Sequence, residues 1–123
     1  MIKKVTDLKQ VYKRQSKYGN HKITIDGITF DSKREAYRYK ELQLLEKAGA
    51  ITELELQPRF TLLDKYTNGL GVNIRKMEYV ADFSYYKDGK QVIEDTKGHR
   101  TKDYLLKKKW FEKAFYPLTI TEV

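Results

Sequence analysis

Two aspartates on either side of a tight turn are the first residues in this sequence whose spacing implies chemistry. Asp82 interrupts the apolar run Tyr79-Val80-Ala81-Asp82-Phe83, and Asp95 follows Val92-Ile93. Between them lies Asp88-Gly89, a dipeptide that favours a two-residue hairpin turn. With those residues at the turn centre, Lys87 pairs with Lys90, and Asp82 falls directly opposite Asp95 on the same face. Directly opposed Cβ atoms are only about 4.5–5.5 Å apart, so two like charges there oppose the sheet unless something positive lies between them. Lys97, two residues after Asp95, shares its face because strand side chains alternate. Glu94 faces the other way, toward Phe83, and is assigned no catalytic role.

Such an oxygen-rich site suits Mg²⁺, with Mn²⁺ as a substitute, because hard cations keep several waters and also take phosphate oxygens. A metal there polarises a phosphate and lowers the pKa of a bound water. Lys97 can orient or deprotonate that water, or offset charge on the developing oxyanion. Glu35, on a helix expected to pack against this sheet, can bind the metal or a bridging water. The expected metal ligands are therefore Asp82, Asp95 and Glu35. A competing reading places both aspartates at frayed strand ends, each paired with a nearby lysine in an exposed polar hairpin. A three-residue loop would likewise shift the register and separate them.

The elements that must position these residues follow from pattern. Residues 1–20 are polar and basic with weak periodicity, which predicts a mobile arm with a short helix near Thr6–Gln15. His21–Ile25, Asp26-Gly27 and Ile28–Phe30 read as a hairpin. Asp31-Ser32 opens a helix running to about Ala48 and ended by Gly49, with Glu35 three residues beyond Ser32 as in a capping box. On its wheel Tyr37, Leu42, Leu44, Leu45 and Ala48 form one apolar arc, with Glu35 at its edge. Strands are expected at Leu54–Leu63, Ile74–Tyr86 and Gln91–Lys97. A helix from about Thr101 to Phe115 follows, carrying Leu105, Leu106, Trp110, Phe111 and Phe115 and stopped by Pro117. Strand Leu118–Thr121 closes the chain, and a right-handed crossover makes it parallel to its neighbour. The expected class is α/β, a mixed central sheet flanked by helices, with 21–123 as a single domain.

Composition narrows the partners. The chain of 123 residues carries a net charge of +8, and that charge is zoned. Residues 1–22 hold seven basic side chains against Asp7, and residues 97–113 hold seven against Asp103 and Glu112. Clustered Lys and Arg suit a polyanion, because they release counterions from a phosphate backbone. A solubilising arm and a solvated helix face would give the same counts. No cysteine is present, which excludes disulfides and cysteine-ligated zinc and is compatible with a reducing cytoplasm. No apolar run approaches about 18 residues, so no membrane span is expected. Met1-Ile2-Lys3-Lys4 lacks the apolar stretch of a secretion signal.

The order of four short segments carries a resemblance. Ser32-Lys33-Arg34-Glu35-Ala36, Leu56-Gln57-Pro58, Tyr79-Val80-Ala81-Asp82-Phe83 and Glu94-Asp95-Thr96-Lys97-Gly98 together resemble the PD-(D/E)XK nuclease superfamily. More narrowly, they resemble small phage endonucleases, formerly of unknown function and sometimes described as Holliday-junction resolvases. The likeness covers about residues 17–123. It implies a restriction-endonuclease-like core of helix, three antiparallel strands, helix and strand. It also implies an Mg²⁺-dependent endodeoxyribonuclease with Asp82, Asp95 and Lys97 as the motif acids and lysine, and Glu35 as the first-helix acid. Gln57 matches a glutamine that precedes the active-site hairpin in related nucleases, while Ala81 replaces the motif's leading proline. Cleavage of branched DNA in phage replication or recombination, in the cytoplasm of a bacterial host and by a homodimer, is what the resemblance implies about substrate and setting.

Further basic residues are candidates for DNA contact: Lys17 in the arm, Arg34 and Arg38 on the first helix, and Arg100 and Lys102 beyond the last acid. Lys107, Lys108 and Lys109, together with Lys102, read equally as a phosphate-binding face and as the solvated side of an amphipathic helix. Trp110, Phe111 and Phe115 are expected in the core. The alternative from a different class is a non-catalytic nucleic-acid-binding module carried by the arm and Lys107–Lys109.

Overall fold

The computed structural model describes residues 22–96 and 100–123. The expected basic arm with Lys17, and the expected strand end at Lys97, lie outside the described residues. The chain divides into two compact units, Met1–Ala48 and Gly49–Val123.

In the first unit, β1 (Ile23–Ile25) and β2 (Ile28–Phe30) pair antiparallel around Asp26-Gly27. Both turn residues have positive φ, 53° and 78°, as the expected tight turn requires. Helix α1 (Lys33–Lys47) starts at Ser32, whose Oγ accepts the Glu35 N–H at 3.1 Å. That bond satisfies one of the free donors of the first turn. The buried stripe of α1 is Glu35, Ala36, Tyr39 and Leu42. This corrects the expected arc: Leu42 is buried, but Tyr37, Leu44, Leu45 and Ala48 are exposed. Counting apolar side chains missed that a carboxylate and a tyrosine occupy the inner stripe. Phe30 and Tyr39 meet there with ring centres 5.0 Å apart.

The second unit is a mixed sheet with a helix packed on it. Its central four strands run in the order β10 (Ile120–Glu122), β9 (Lys90–Asp95), β8 (Phe83–Lys87), β3 (Thr52–Leu56). β3, β8 and β9 are antiparallel, and β10 joins β9 in parallel, as the crossover through α2 (Lys102–Ala114) predicts. The expected long strands Leu54–Leu63 and Ile74–Tyr86 are each broken. β4 (Arg59–Leu63) follows β3 after Gln57-Pro58, and β7 (Met77–Val80) precedes β8 before Ala81-Asp82. Pro58 has no N–H to give the ladder, and Gln57 adopts φ 51°. The register nevertheless carries across the break, since Gln57 N–H donates to the Asp82 carbonyl and Ala81 N–H to the Pro58 carbonyl. β5 (Tyr66–Thr67) and β6 (Asn73–Ile74) form a small hairpin beyond the far end of β4 and β7.

Leu62, Tyr79, Ala81, Ile93, Tyr104, Phe111 and Ile120 form the core of this unit, with Phe60, Trp110, Phe115 and Leu118 packed against it. Phe60 meets Phe111 and Phe115 edge-on, at ring centres 4.8 and 5.4 Å apart. The expected core aromatics of α2 thus hold, whereas Leu105 and Leu106 are exposed and Tyr104 takes the inner position. Among the described residues, no helix is long and apolar enough to cross a membrane.

Candidate active site

The Asp88-Gly89 turn sets the geometry of the site. Both residues have positive φ, 51° and 78°, and Lys87 faces Lys90 while Phe83 faces Glu94. Asp82 stands one residue before β8, and its N–H donates to the Glu94 carbonyl at 3.1 Å. That bond extends the pairing one step and sets Asp82 against Asp95, close enough for the charge of Asp95 to act on the Asp82 carboxyl. The expected juxtaposition is therefore present, and the frayed alternative is not. Asp95 is almost wholly buried, at 1% exposure, and Asp82 is half-buried.

The donors around the pair are specific. Asp82 Oδ2 accepts the Thr96 N–H at 2.7 Å and the Thr96 hydroxyl at 2.6 Å. The Tyr79 hydroxyl donates to Asp95 Oδ2. Burial, and then the negative charge of Asp95, push the Asp82 carboxyl up to about 6, against the opposing pull of the two Thr96 bonds. Burial and the Asp95 bond hold the Tyr79 phenol far above its usual range, so it remains a donor. Sequence alternation would put Tyr79, three residues before Asp82, on the other face. The bend at Ala81-Asp82 breaks the alternation and brings Tyr79 to Asp95.

A second cluster flanks the first. Glu122 is in register with Asp95 across the parallel pair, and Val123 N–H donates to the Asp95 carbonyl at 3.1 Å. Glu122 accepts from the Tyr104 hydroxyl at 2.7 Å and pairs with Arg100. The Tyr104 bond holds the Glu122 carboxyl below its ordinary range. Neither Tyr104 nor Glu122 was marked by sequence reasoning, because the crossover that joins β10 to β9 sets their proximity.

The other candidates are placed as follows. Glu94 faces Phe83, as expected, and is buried with the Tyr85 hydroxyl donating to it. Gln57 lies beside the pair through its backbone bond to Asp82, with an exposed side chain. Glu35, Arg34 and Arg38 belong to the first unit, where Glu35 is buried, Arg34 exposed and Arg38 3.7 Å from Glu41. Lys107 and Lys108 lean along α2 toward Asp103 and Glu112, at 3.8 and 3.0 Å, which fits a solvated helix face. Lys102 and Lys109 are exposed. Lys97, the expected lysine of the site, lies outside the described residues. Among the described residues, no three His, Asp or Glu side chains form a group that could hold a metal ion.

Fold and site together define an α/β protein with a mixed sheet and an opposed pair of acids at one hairpin, Asp95 buried and Asp82 half-buried. The chain belongs to the family described as "Protein of unknown function (DUF1064)", whose model matches residues 15–123. Comparison with curated proteins and with solved structures gives no match.

Proposed function

We propose that this chain is a metal-dependent DNA endonuclease of the PD-(D/E)XK type on a restriction-endonuclease-like core. The observation that carries the reading is the opposed pair of half-buried Asp82 and buried Asp95, a placement costly for two carboxylates. The chain order of α1, three antiparallel strands, α2 and a parallel last strand supports the same reading.

The donor set fits a hard dication. Two carboxyl groups set against each other leave a place that a positive charge can fill. Asp82 and Asp95 would hold Mg²⁺, leaving its remaining positions to water and substrate phosphate, as is usual for this ion. When bound, the ion supplies charge against phosphoryl oxygens and an acidified water. Glu35 is the further acid that the resemblance adds. Thr96 and Tyr79 keep the two carboxyl groups aimed by fixed donors. Lys97 is assigned to orienting the attacking water or offsetting charge on the phosphate. Products would carry 5′-phosphate and 3′-hydroxyl ends. Branched DNA cut by a homodimer, with two sites acting on two strands, is the proposed substrate geometry.

The test is incubation of supercoiled plasmid and a four-way junction with Mg²⁺, Mn²⁺ or chelator. Wild type is expected to cut only with metal, and Asp82→Asn and Asp95→Asn to lose cutting while still binding DNA. Undiminished cutting by either variant refutes the site. Binding without cleavage in either metal would favour the non-catalytic nucleic-acid module instead.

A further inference from the structure

The hairpin β5–β6 is a built projection with a basic, aromatic root and an apolar tip. Asn68 organises its turn: its Oδ1 accepts the Leu70 and Val72 N–H groups at 2.9 and 3.0 Å, and its N–H donates to the Val72 carbonyl. Thr67 bonds Asn73 across the pair at 2.9 Å. This network holds Leu70 out at 90% exposure, with Val72 exposed beside it. Leu70 and Val72 thus stand in water on a turn held by four polar bonds. At the root, a cleft of about 420 Å³ is lined by Lys65, Tyr66, Thr67, Asn73, Ile74 and Arg75. Lys65 and Arg75 are exposed and make no ion pair among the described residues, and Tyr66 is half exposed. Other basic side chains nearby are engaged, Lys76 and Arg59 both with Glu78.

We infer that this hairpin is a DNA-binding wing: Lys65 and Arg75 take backbone phosphates, Tyr66 stacks on a base or sugar, and Leu70 enters a groove or an opened base step. The inference rests on the nuclease reading for the identity of the polyanion. The chemistry itself follows from the unpaired cations, an aromatic face and an apolar wedge, the combination by which proteins hold unstacked nucleic acid. From Gln57, beside Asp82, to Tyr66 the strand path is nine residues, so at about 3.3 Å per residue the wing lies up to roughly 30 Å from the acids. At about 3.4 Å per base pair, that reaches on the order of nine base pairs from the bond being cut.

The test measures anisotropy of a labelled four-way junction and a labelled duplex, in chelator, across a salt series. Wild type, Lys65→Ala/Arg75→Ala, Tyr66→Ala and Leu70→Asp are compared, with circular dichroism as a folding control. The double variant is expected to lose about tenfold in affinity, and its log–log salt slope to fall by about 1.8, two phosphate contacts at roughly 0.9 each. Leu70→Asp is expected to weaken the junction at least threefold more than the duplex. Metal-dependent cutting at saturating DNA should persist in all three variants. Affinity and slope within twofold of wild type, while wild type binds and cuts, would overturn the wing and leave the nuclease reading standing. Wild type that fails to bind DNA at all would overturn both. A Leu70→Asp variant that changes oligomeric state with unchanged DNA affinity would assign the tip to a protein contact and overturn the wing.

Discussion

Replacing Asp82 by Asn should make the metal-free protein more stable at neutral pH. Asp82 in the fold titrates at about 6, against an ordinary value of 3.8. The folded state therefore holds its proton more tightly than the unfolded chain. The stability from this group is fully present below about pH 4 and is lost as pH rises through about 6. At about 1.4 kcal/mol per pKa unit, ionising Asp82 inside the fold costs roughly 3 kcal/mol at pH 7.5. An asparagine keeps an oxygen for the Thr96 donors and carries no charge, but its amide hydrogens lose water. A net gain of about 1–2 kcal/mol is expected, a rise of roughly 5 °C in Tm for a chain of this size.

The assay is thermal unfolding of wild type and Asp82→Asn in chelator, from pH 4 to pH 8. The gain should be near zero at pH 4 and grow to its full value by pH 7.5. Added Mg²⁺ should then narrow or reverse the difference, because an ion at one hundred times its Kd stabilises wild type by about 2.7 kcal/mol and has no such site in the variant. A variant no more stable at pH 7.5, or equally stabilised at every pH, would refute the electrostatic account of the pair.

Other outcomes follow from neighbouring contacts. Tyr79→Phe removes the hydroxyl that donates to buried Asp95 and should cost about 1.5–3 kcal/mol in urea unfolding, with weaker Mg²⁺ dependence of Tm as a second readout. Gly89→Ala forces a methyl into φ +78° where no atom crowds it, so the expected loss is conformational, about 1–2 kcal/mol, with cutting impaired through the turn that sets the register.

What the sequence could and could not disclose divides along local and tertiary lines. A two-residue turn fixes every partner in the hairpin behind it, so Asp88-Gly89 was enough to bring Asp82 to Asp95. Ser32 capped α1 for the same local reason. The break at Gln57-Pro58 was signalled by a proline that the strand reading passed over, whereas the break at Ala81-Asp82 was not legible, because residues of high strand propensity continue on both sides of it. That bend is what delivers Tyr79 to Asp95. The α1 arc failed because its wheel weighed leucines, while the structure buries Glu35 and Tyr39 and leaves Leu44 and Leu45 outside. Glu122 and Tyr104 approach the site only through the parallel β9–β10 pairing, which no short segment encodes.

The character of the donors separates the acid pair from the structural acids around it. Glu78 is held by Arg59 and Lys76, Glu112 by Lys108 and Glu122 by Arg100, each an ion pair at a partly exposed position that satisfies a charge locally. The donors shown for Asp82 are the neutral Thr96 N–H and hydroxyl, and the one shown for Asp95 is the neutral Tyr79 phenol. Neutral donors orient a carboxyl group without cancelling its charge, and here they orient two toward each other. An asparagine at position 82 would keep an oxygen for both Thr96 donors without the charge. Two carboxyl groups set against each other have a use where a cation binds between them, as the proposed function requires, which is why the stability gained in Asp82→Asn and the cutting lost in the same variant are expected to come together.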